Sequence, residues 1–277
     1  MRGNNKFEGK IVLITGASSG IGRQVAFDFA SAGAMVIILV ARTESKLAEL
    51  ENIIRGKKDV EQVNVVSYCC DVSNKQQVSE LAQKVIGRFG YVDILVNNAG
   101  IGIYGRLEDQ TAEDLELVMR TNYLGTAYLT KALLGPMLKR RSGHIVNIAS
   151  VAGSFGVAGL AGYSASKYAV LGFSESLYHE LHDSGVQITV VSPIGVKTNF
   201  FNHPSFGMKP NFAGFFLEPD VVSKAILKAS CSSRLEIIVP FYVRGGVWLK
   251  ETFPYLLNPL IGWLFRRQLN KTKKAIR

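Results

Sequence analysis

Seven short runs rich in valine and isoleucine recur along the chain, with stretches of helical apolar spacing between them. The runs are Ile11 to Thr15, Met35 to Val40, Asn64 to Cys70, Ile94 to Asn97, His144 to Ile148, Gln187 to Ser192 and Glu236 to Val239. Most are apolar at consecutive positions instead of alternate ones, as strands are when helices cover both of their faces. The alternation predicts an α/β fold: a doubly wound, Rossmann-type, seven-stranded parallel sheet with helices on both faces and right-handed crossovers. With 277 residues and no internal repeat or low-complexity linker, residues 1–277 are expected to form one domain. Ligands of such sheets bind beyond the carboxyl ends of the strands, near the point where strand order reverses. The residues that follow strands are therefore the ones to read for chemistry.

After the first run comes Thr15-Gly-Ala-Ser-Ser-Gly-Ile-Gly22, and then a helical stretch from Arg23 to Ala32. Gly16, Gly20 and Gly22 allow a tight turn and a close backbone approach to a ligand. The helix behind them offers unpaired N–H groups and the positive end of its dipole to a pyrophosphate. Ser18, Ser19 and Ile21 complete this candidate phosphate loop. Glycines also serve ordinary turns, but the strand before and the helix after favour a dinucleotide site. At the end of the second run, where an acid would hold the ribose diol of NAD, the chain has Ala41 and then Arg42. An arginine fork grips a 2′-phosphate with charge-assisted hydrogen bonds, so the cofactor is read as NADP(H). The competing reading of Arg42 is a solvated residue opening the next helix.

Further on stands Tyr163-Ser-Ala-Ser-Lys167, at the start of a helical pattern that continues through Tyr178. One helical turn sets the phenol beside the ammonium. Free tyrosine and lysine titrate near about 10 and 10.4, but a neighbouring cation stabilises phenolate and moves a phenol toward a useful pKa. Taken singly, Tyr163 reads equally as a surface tyrosine, Lys167 as a solvated helix charge, Ser150 as a loop cap and Asn122 as a turn residue. Taken in order, the blocks Thr15 to Gly22, Asp71-Val72, Asn97-Asn-Ala-Gly100, Asn122, Ser150 and Tyr163 to Lys167 resemble the short-chain dehydrogenases/reductases, over about Lys10 to Pro240.

That resemblance implies that Tyr163 is the general acid or base and that Ser150 aligns the substrate oxygen. Lys167 would bind the nicotinamide ribose and depress the tyrosine pKa, while Asn122 would hold a water in a proton relay behind it. It also implies that Asp71 and Val72 meet the adenine, that Asn97 forms part of the cofactor wall, and that Val196 and Thr198 lie beside the nicotinamide. Asp71 reads equally as a cap for a helix starting near Ser73. One departure is Pro193-Ile194-Gly195, where the family usually has Pro-Gly.

The family's substrate lid would fall at 197–217, a segment with six phenylalanines: Phe200, Phe201, Phe206, Phe212, Phe215 and Phe216. Ile101, Ile103, Tyr104, Phe155, Val157 and Leu160 lie in the other loops expected around the pocket. So much apolar surface points to an apolar small-molecule substrate, such as a fatty, sphingoid-like or steroid-like carbonyl. The rival is that the rings pack the lid or a subunit contact. The expected activity is NADPH-dependent reduction of that carbonyl. Oxidation of the alcohol, or a non-catalytic NADP-sensing or scaffold role, are the alternatives. Homodimers or homotetramers follow from the resemblance.

Composition narrows the partners. The formal charge is +10, yet the last twelve residues hold six cations and no acid, so the rest carries only +4, 26 cations against 22 acids. This describes a basic tail and not a surface shaped for nucleic acid. Within 241–277, Trp248, Phe253, Tyr255, Trp263 and Phe265 accompany those cations; an anionic membrane surface and a partner subunit are equal candidates for what they meet. Three cysteines and no secretion signal at the N-terminus lead to an expected cytoplasmic location, with peripheral membrane contact through the tail as one of those two candidates. No metal is expected, because His179 and His182 miss the i, i+4 spacing of a zinc helix.

Overall fold

The computed structural model describes residues 6–57, 60, 62–208 and 216–275. Strands and helices alternate as β1 (Ile11–Thr15), α1 (Gly20–Ser31), β2 (Val36–Ala41), α2 (Glu44–Arg55), β3 (Asn64–Cys69), α3 (Lys75–Phe89) and β4 (Ile94–Asn97). Then come α4 (Ala112–Met119), α5 (Gly125–Arg140), β5 (Gly143–Ile148), α6 (Ala161–Glu180), β6 (Val186–Pro193), α7 (Pro219–Ala229), β7 (Glu236–Val239), α8 (Val243–Thr252) and α9 (Pro254–Ala275). The seven strands form one parallel sheet in the order β3-β2-β1-β4-β5-β6-β7.

Consecutive apolar residues have a direct reason. Along β1, Val12 and Ile14 point to one face, where Val25 and Phe29 of α1, Leu47 and Leu50 of α2, and Val222 and Ile226 of α7 pack on them. Ile11 and Leu13 point to the other face, into a core with Val78 and Leu81 of α3, Leu129 and Leu133 of α5, and Leu177 of α6. Neither face meets water, so neither position tolerates a polar side chain. Each buried leucine or isoleucine contributes roughly 1.5–3 kcal/mol of transfer free energy.

Strand order reverses at β1, which has β2 on one side and β4 on the other. The loops leaving β1 and β4 therefore diverge and leave a cleft at the carboxyl edge. The chain's departure at Ile194 is accommodated there: Ile194 N–H donates to Val239 at 3.0 Å, and Leu217 N–H to Gly195 at 2.8 Å.

Candidate active site

Two loops are sewn together at the floor of the cleft. Thr15 Oγ1 accepts the backbone N–H groups of Asn98 and Ala99, both at 3.0 Å, and Asn98 Nδ2 donates to the Thr15 carbonyl at 2.9 Å. This close approach excludes side chains. Gly16 has φ +64°, and a Cβ there would lie 2.9 Å from Ala99 Cα; a Cβ on Gly22 would lie 2.4 Å from the Gly16 carbonyl oxygen. Gly22 thus shapes the loop from behind and does not line the cleft. Helix α1 starts at Gly20, and Ser19 at its N-cap makes no side-chain hydrogen bond to the first turn. The first N–H groups of α1 keep their capacity for an outside acceptor.

The cleft is a cavity of about 480 Å³. Gly16, Ser18, Ser19, Gly20 and Ile21 form one wall, with the Thr198 side chain against Gly20, and Asp71, Val72 and Asn98 to Gly100 form another. Arg42, Thr43 and Lys46 stand at one end, so two cations border it. Asp71 does not cap α3. Its Oδ1 accepts from Ser73 N and Oγ at 2.9 and 2.8 Å, and Asn74 caps the helix through Gln76 and Gln77 N–H.

Two residues expected at the cofactor lie elsewhere. Asn97 is the last residue of β4, in register with Asn147 of β5, and its Nδ2 donates to Asn147 Oδ1 at 2.8 Å and Thr130 Oγ1 at 3.0 Å. It belongs to a buried polar network, because the strand's alternation turns its side chain inward and hands the cavity to Asn98. Val196 forms a parallel bridge with Leu217 and packs into the core, so its side chain does not line the cavity.

The YSASK stretch lies on α6, with Tyr163 and Lys167 one turn apart. Ser150, just past β5, stands close enough to the Tyr163 phenol to lower its pKa against the rise that burial causes. The Ser150 oxygen is fixed by Ala152 N–H at 3.1 Å and the Pro193 carbonyl at 3.3 Å. Lys167 is buried, with Nζ donating to the Ile148 carbonyl at 2.8 Å and lying 5.7 Å from the centroid of the Tyr163 ring. Asn122 sits in a π-helical turn between α4 and α5 (Arg120–Leu124). Its side chain clasps the Ile101 backbone at 2.8 and 2.9 Å and donates to Ser166 Oγ at 2.9 Å. The four residues expected to work together therefore converge around one point.

Their charges do not follow the expectation. Burial pushes the Tyr163 phenol up to about 12, opposed by Ser150, and burial pushes the Lys167 ammonium down to about 8. In the chain by itself, loss of water outweighs any help that the lysine gives to phenolate.

A model of the short chain dehydrogenase family matches residues 10–205. The chain belongs to the short-chain dehydrogenases/reductases. It is thereby an oxidoreductase of that family. It is 32% identical over 98% of its length to a zebrafish (Danio rerio) dehydrogenase/reductase SDR family member 7B, of which it spans 90%. A Drosophila melanogaster SDR family protein 7-like is 36% identical over 98% of this chain and 84% of its own. Among solved structures, a Burkholderia phymatum short-chain dehydrogenase/reductase in complex with NAD superposes with a TM-score of 0.80 at 30% identity, covering 91% of this chain and 96% of that one. A Sphingobium yanoikuyae short-chain dehydrogenase in complex with NADPH gives 0.78 at 30%, covering 90% and 95%.

In this short-chain dehydrogenase/reductase the described phenylalanines of 197–217 gather beside Tyr163. Phe200 stands edge-on to Tyr163, ring centroids 5.3 Å apart, and fills the space beside Gly102, where a Cβ would lie 2.4 Å from its Cζ. Phe201, Phe206 and Phe216 pack on Phe200 or on each other at 5.1–5.6 Å, with Tyr104, Val157 and Leu160 around them. Phe200, Phe201, Phe206 and Phe216 thus pack on one another within 197–217; Phe212 and Phe215 lie outside the described residues. The sequence reading missed Lys46, Asn98 and Thr121 as cavity residues. Strand alternation would have selected Asn98 over Asn97, and i, i+4 spacing from Arg42 would have flagged Lys46. Nothing in the sequence marks Thr121, whose Oγ1 is buried without a hydrogen-bond partner among the described residues.

Proposed function

We propose that the chain reduces a bulky apolar ketone or aldehyde with NADPH. The observation that carries this reading is Ser150 beside the Tyr163 phenol, with a buried Lys167 whose Nζ would lie 3.5 Å from a Cβ on Gly100, a residue that lines the glycine-floored cleft. The residues fit the cofactor: a loop with no room for Cβ atoms at Gly16 and Gly22, an α1 N-terminus with no side-chain cap, and two cations at one end. Gly16, Ser19, Gly20 and Ile21 would hold the pyrophosphate, Arg42 and Lys46 the 2′-phosphate, Asp71 and Val72 the adenine, and Thr198 the carboxamide. When bound, the nicotinamide supplies the hydride.

The chain's own residues supply position and the proton. With its pKa near 12, the Tyr163 phenol is protonated at neutral pH, which is the state that a proton donor to a carbonyl oxygen needs. The protonated phenol is the form that reduction uses; oxidation would run through the same group as phenolate, and cofactor and substrate levels set the net direction. Ser150 Oγ, held by the Ala152 N–H and the Pro193 carbonyl, stands beside the phenol and would hydrogen-bond the oxygen on which charge builds. Lys167, with a pKa of about 8, is still mostly protonated at neutral pH, and its cation would stabilise the negative charge as it forms. The phenylalanine wall over Tyr163 would exclude water and prefer an apolar body on the substrate.

The test follows loss of NADPH absorbance against a panel of lipid and steroid carbonyls. Tyr163→Phe is expected to lower kcat by about 10²- to 10⁴-fold with cofactor affinity nearly intact. Undiminished turnover in that variant would remove Tyr163 from the reaction.

A further inference from the structure

Residues 241–277 carry eight cations against the single acid Glu251, a net +7 that leaves only +3 for the other 240 residues, 24 cations against 21 acids. The same segment holds an exposed apolar surface. Phe241 is 83% exposed, Trp248 61%, Tyr255 95% and Leu256 73%, joined by Leu260, Trp263 and Leu264 at about half. On α9, Leu256, Leu260, Trp263 and Leu264 follow i, i+4, i+7 and i+8 and so form one stripe. Helix α8 is fixed to the body: Val247 is buried, and Lys250 Nζ donates to the Ser154 carbonyl at 2.8 Å. No helix among the described residues is long and apolar enough to cross a bilayer.

We propose that α8 and α9 dock this protein on an anionic lipid surface, with the Trp248, Leu256, Leu260 and Trp263 side chains in the headgroup region. Charge decides between occupants. A second copy meeting the same face would bring together two segments that each carry a net +7 in sequence, and a two-fold contact is self-complementary in position but not in charge. Phospholipids with acidic headgroups match both features: the stripe loses its water while the cations meet the surface potential. Indole and phenol rings suit that boundary, having an apolar body and a polar edge.

The two tryptophans of the chain are Trp248 and Trp263, so intrinsic fluorescence reports on this surface alone. The full chain is mixed with phosphatidylcholine vesicles made with or without phosphatidylserine, and emission and co-sedimentation are read. Emission is expected to move to the blue and protein to pellet only with the serine lipid, and added salt is expected to weaken the binding. The Leu256→Glu/Leu260→Glu variant, altered at exposed positions, should lose about ten-fold or more of its vesicle affinity while keeping its circular dichroism. Should that variant misfold, Arg266→Gln/Arg267→Gln serves the same end. Equal uptake by both vesicle types overturns the proposal, as does unchanged emission. So does a blue shift that depends on protein concentration and doubles the mass, which would assign the face to a second copy. None of these readouts involves turnover, so the reductase reading stands or falls separately.

Discussion

Tyr163 and Lys167 show how little a motif's spacing says about its charge state. One turn apart, the half-buried Tyr163 and the buried Lys167 each drift toward neutrality, the phenol up and the amine down, because each has traded water for protein. Nothing in the five letters of the motif reveals that burial, since it depends on Phe200 and the loops around Gly100. The Arg42 reading is easier to test, because it concerns an exposed side chain whose loss leaves the fold alone. Arg42→Ala is expected to weaken NADPH by about 10- to 100-fold, the loss of one or two charge-assisted hydrogen bonds, and to leave NADH nearly unchanged. Calorimetric titration of both cofactors checks it; equal losses would end the phosphate assignment, and Lys46→Ala would then be the variant to compare.

At the scale of elements, all seven strands were legible and three were placed to the residue, β1, β4 and β7. Burial on both faces explains this: it writes unbroken apolar runs into the sequence, and a misplaced end only shifts them. β2 starts at Val36 because Met35 is half exposed, and β6 extends to Pro193 because β7 pairs with it that far. The loops were harder. Asn97 and Asn98 look alike as letters, and only the register against β5 separates the core residue from the cavity residue. The glycines were legible as a set but not by role, which gives a matched pair of variants. Gly22→Ala drives a Cβ to 2.4 Å from the Gly16 oxygen and should cost roughly 1–3 kcal/mol, along with most cofactor affinity. Gly87→Ala, inside α3 and facing open space, should stabilise by about 0.5–1 kcal/mol and leave binding alone. Urea unfolding and NADPH titration measure both, and equal effects would refute the steric account of the loop.

For the whole molecule, one buried side chain ties the second half of the sheet together. His144 is the second residue of β5; its ring nitrogen Nε2 lies 3.0 Å from Thr189 Oγ1 on β6, and the Ser230 backbone just past α7 stands close enough to raise its pKa against burial. Burial pushes its pKa down to about 4, since a charged imidazole there would lack water. The sign follows from proton binding. Between about 4 and the ordinary value near 6.5, the unfolded chain takes up a proton that the folded chain refuses, so acidification favours unfolding. Stability from this group is whole above about pH 6.5 and falls through the window down to about pH 4. By about pH 5 the loss amounts to roughly 2 kcal/mol, a sizeable share of the margin that holds any domain folded. His144→Gln removes the titration, so its urea midpoint should change less between about pH 7 and pH 5 than that of the parent chain, even if it starts lower for want of a hydrogen bond. Parallel curves for the two proteins would mean that the imidazole carries its charge in the fold, and the tie between β5, β6 and the end of α7 would then need another explanation.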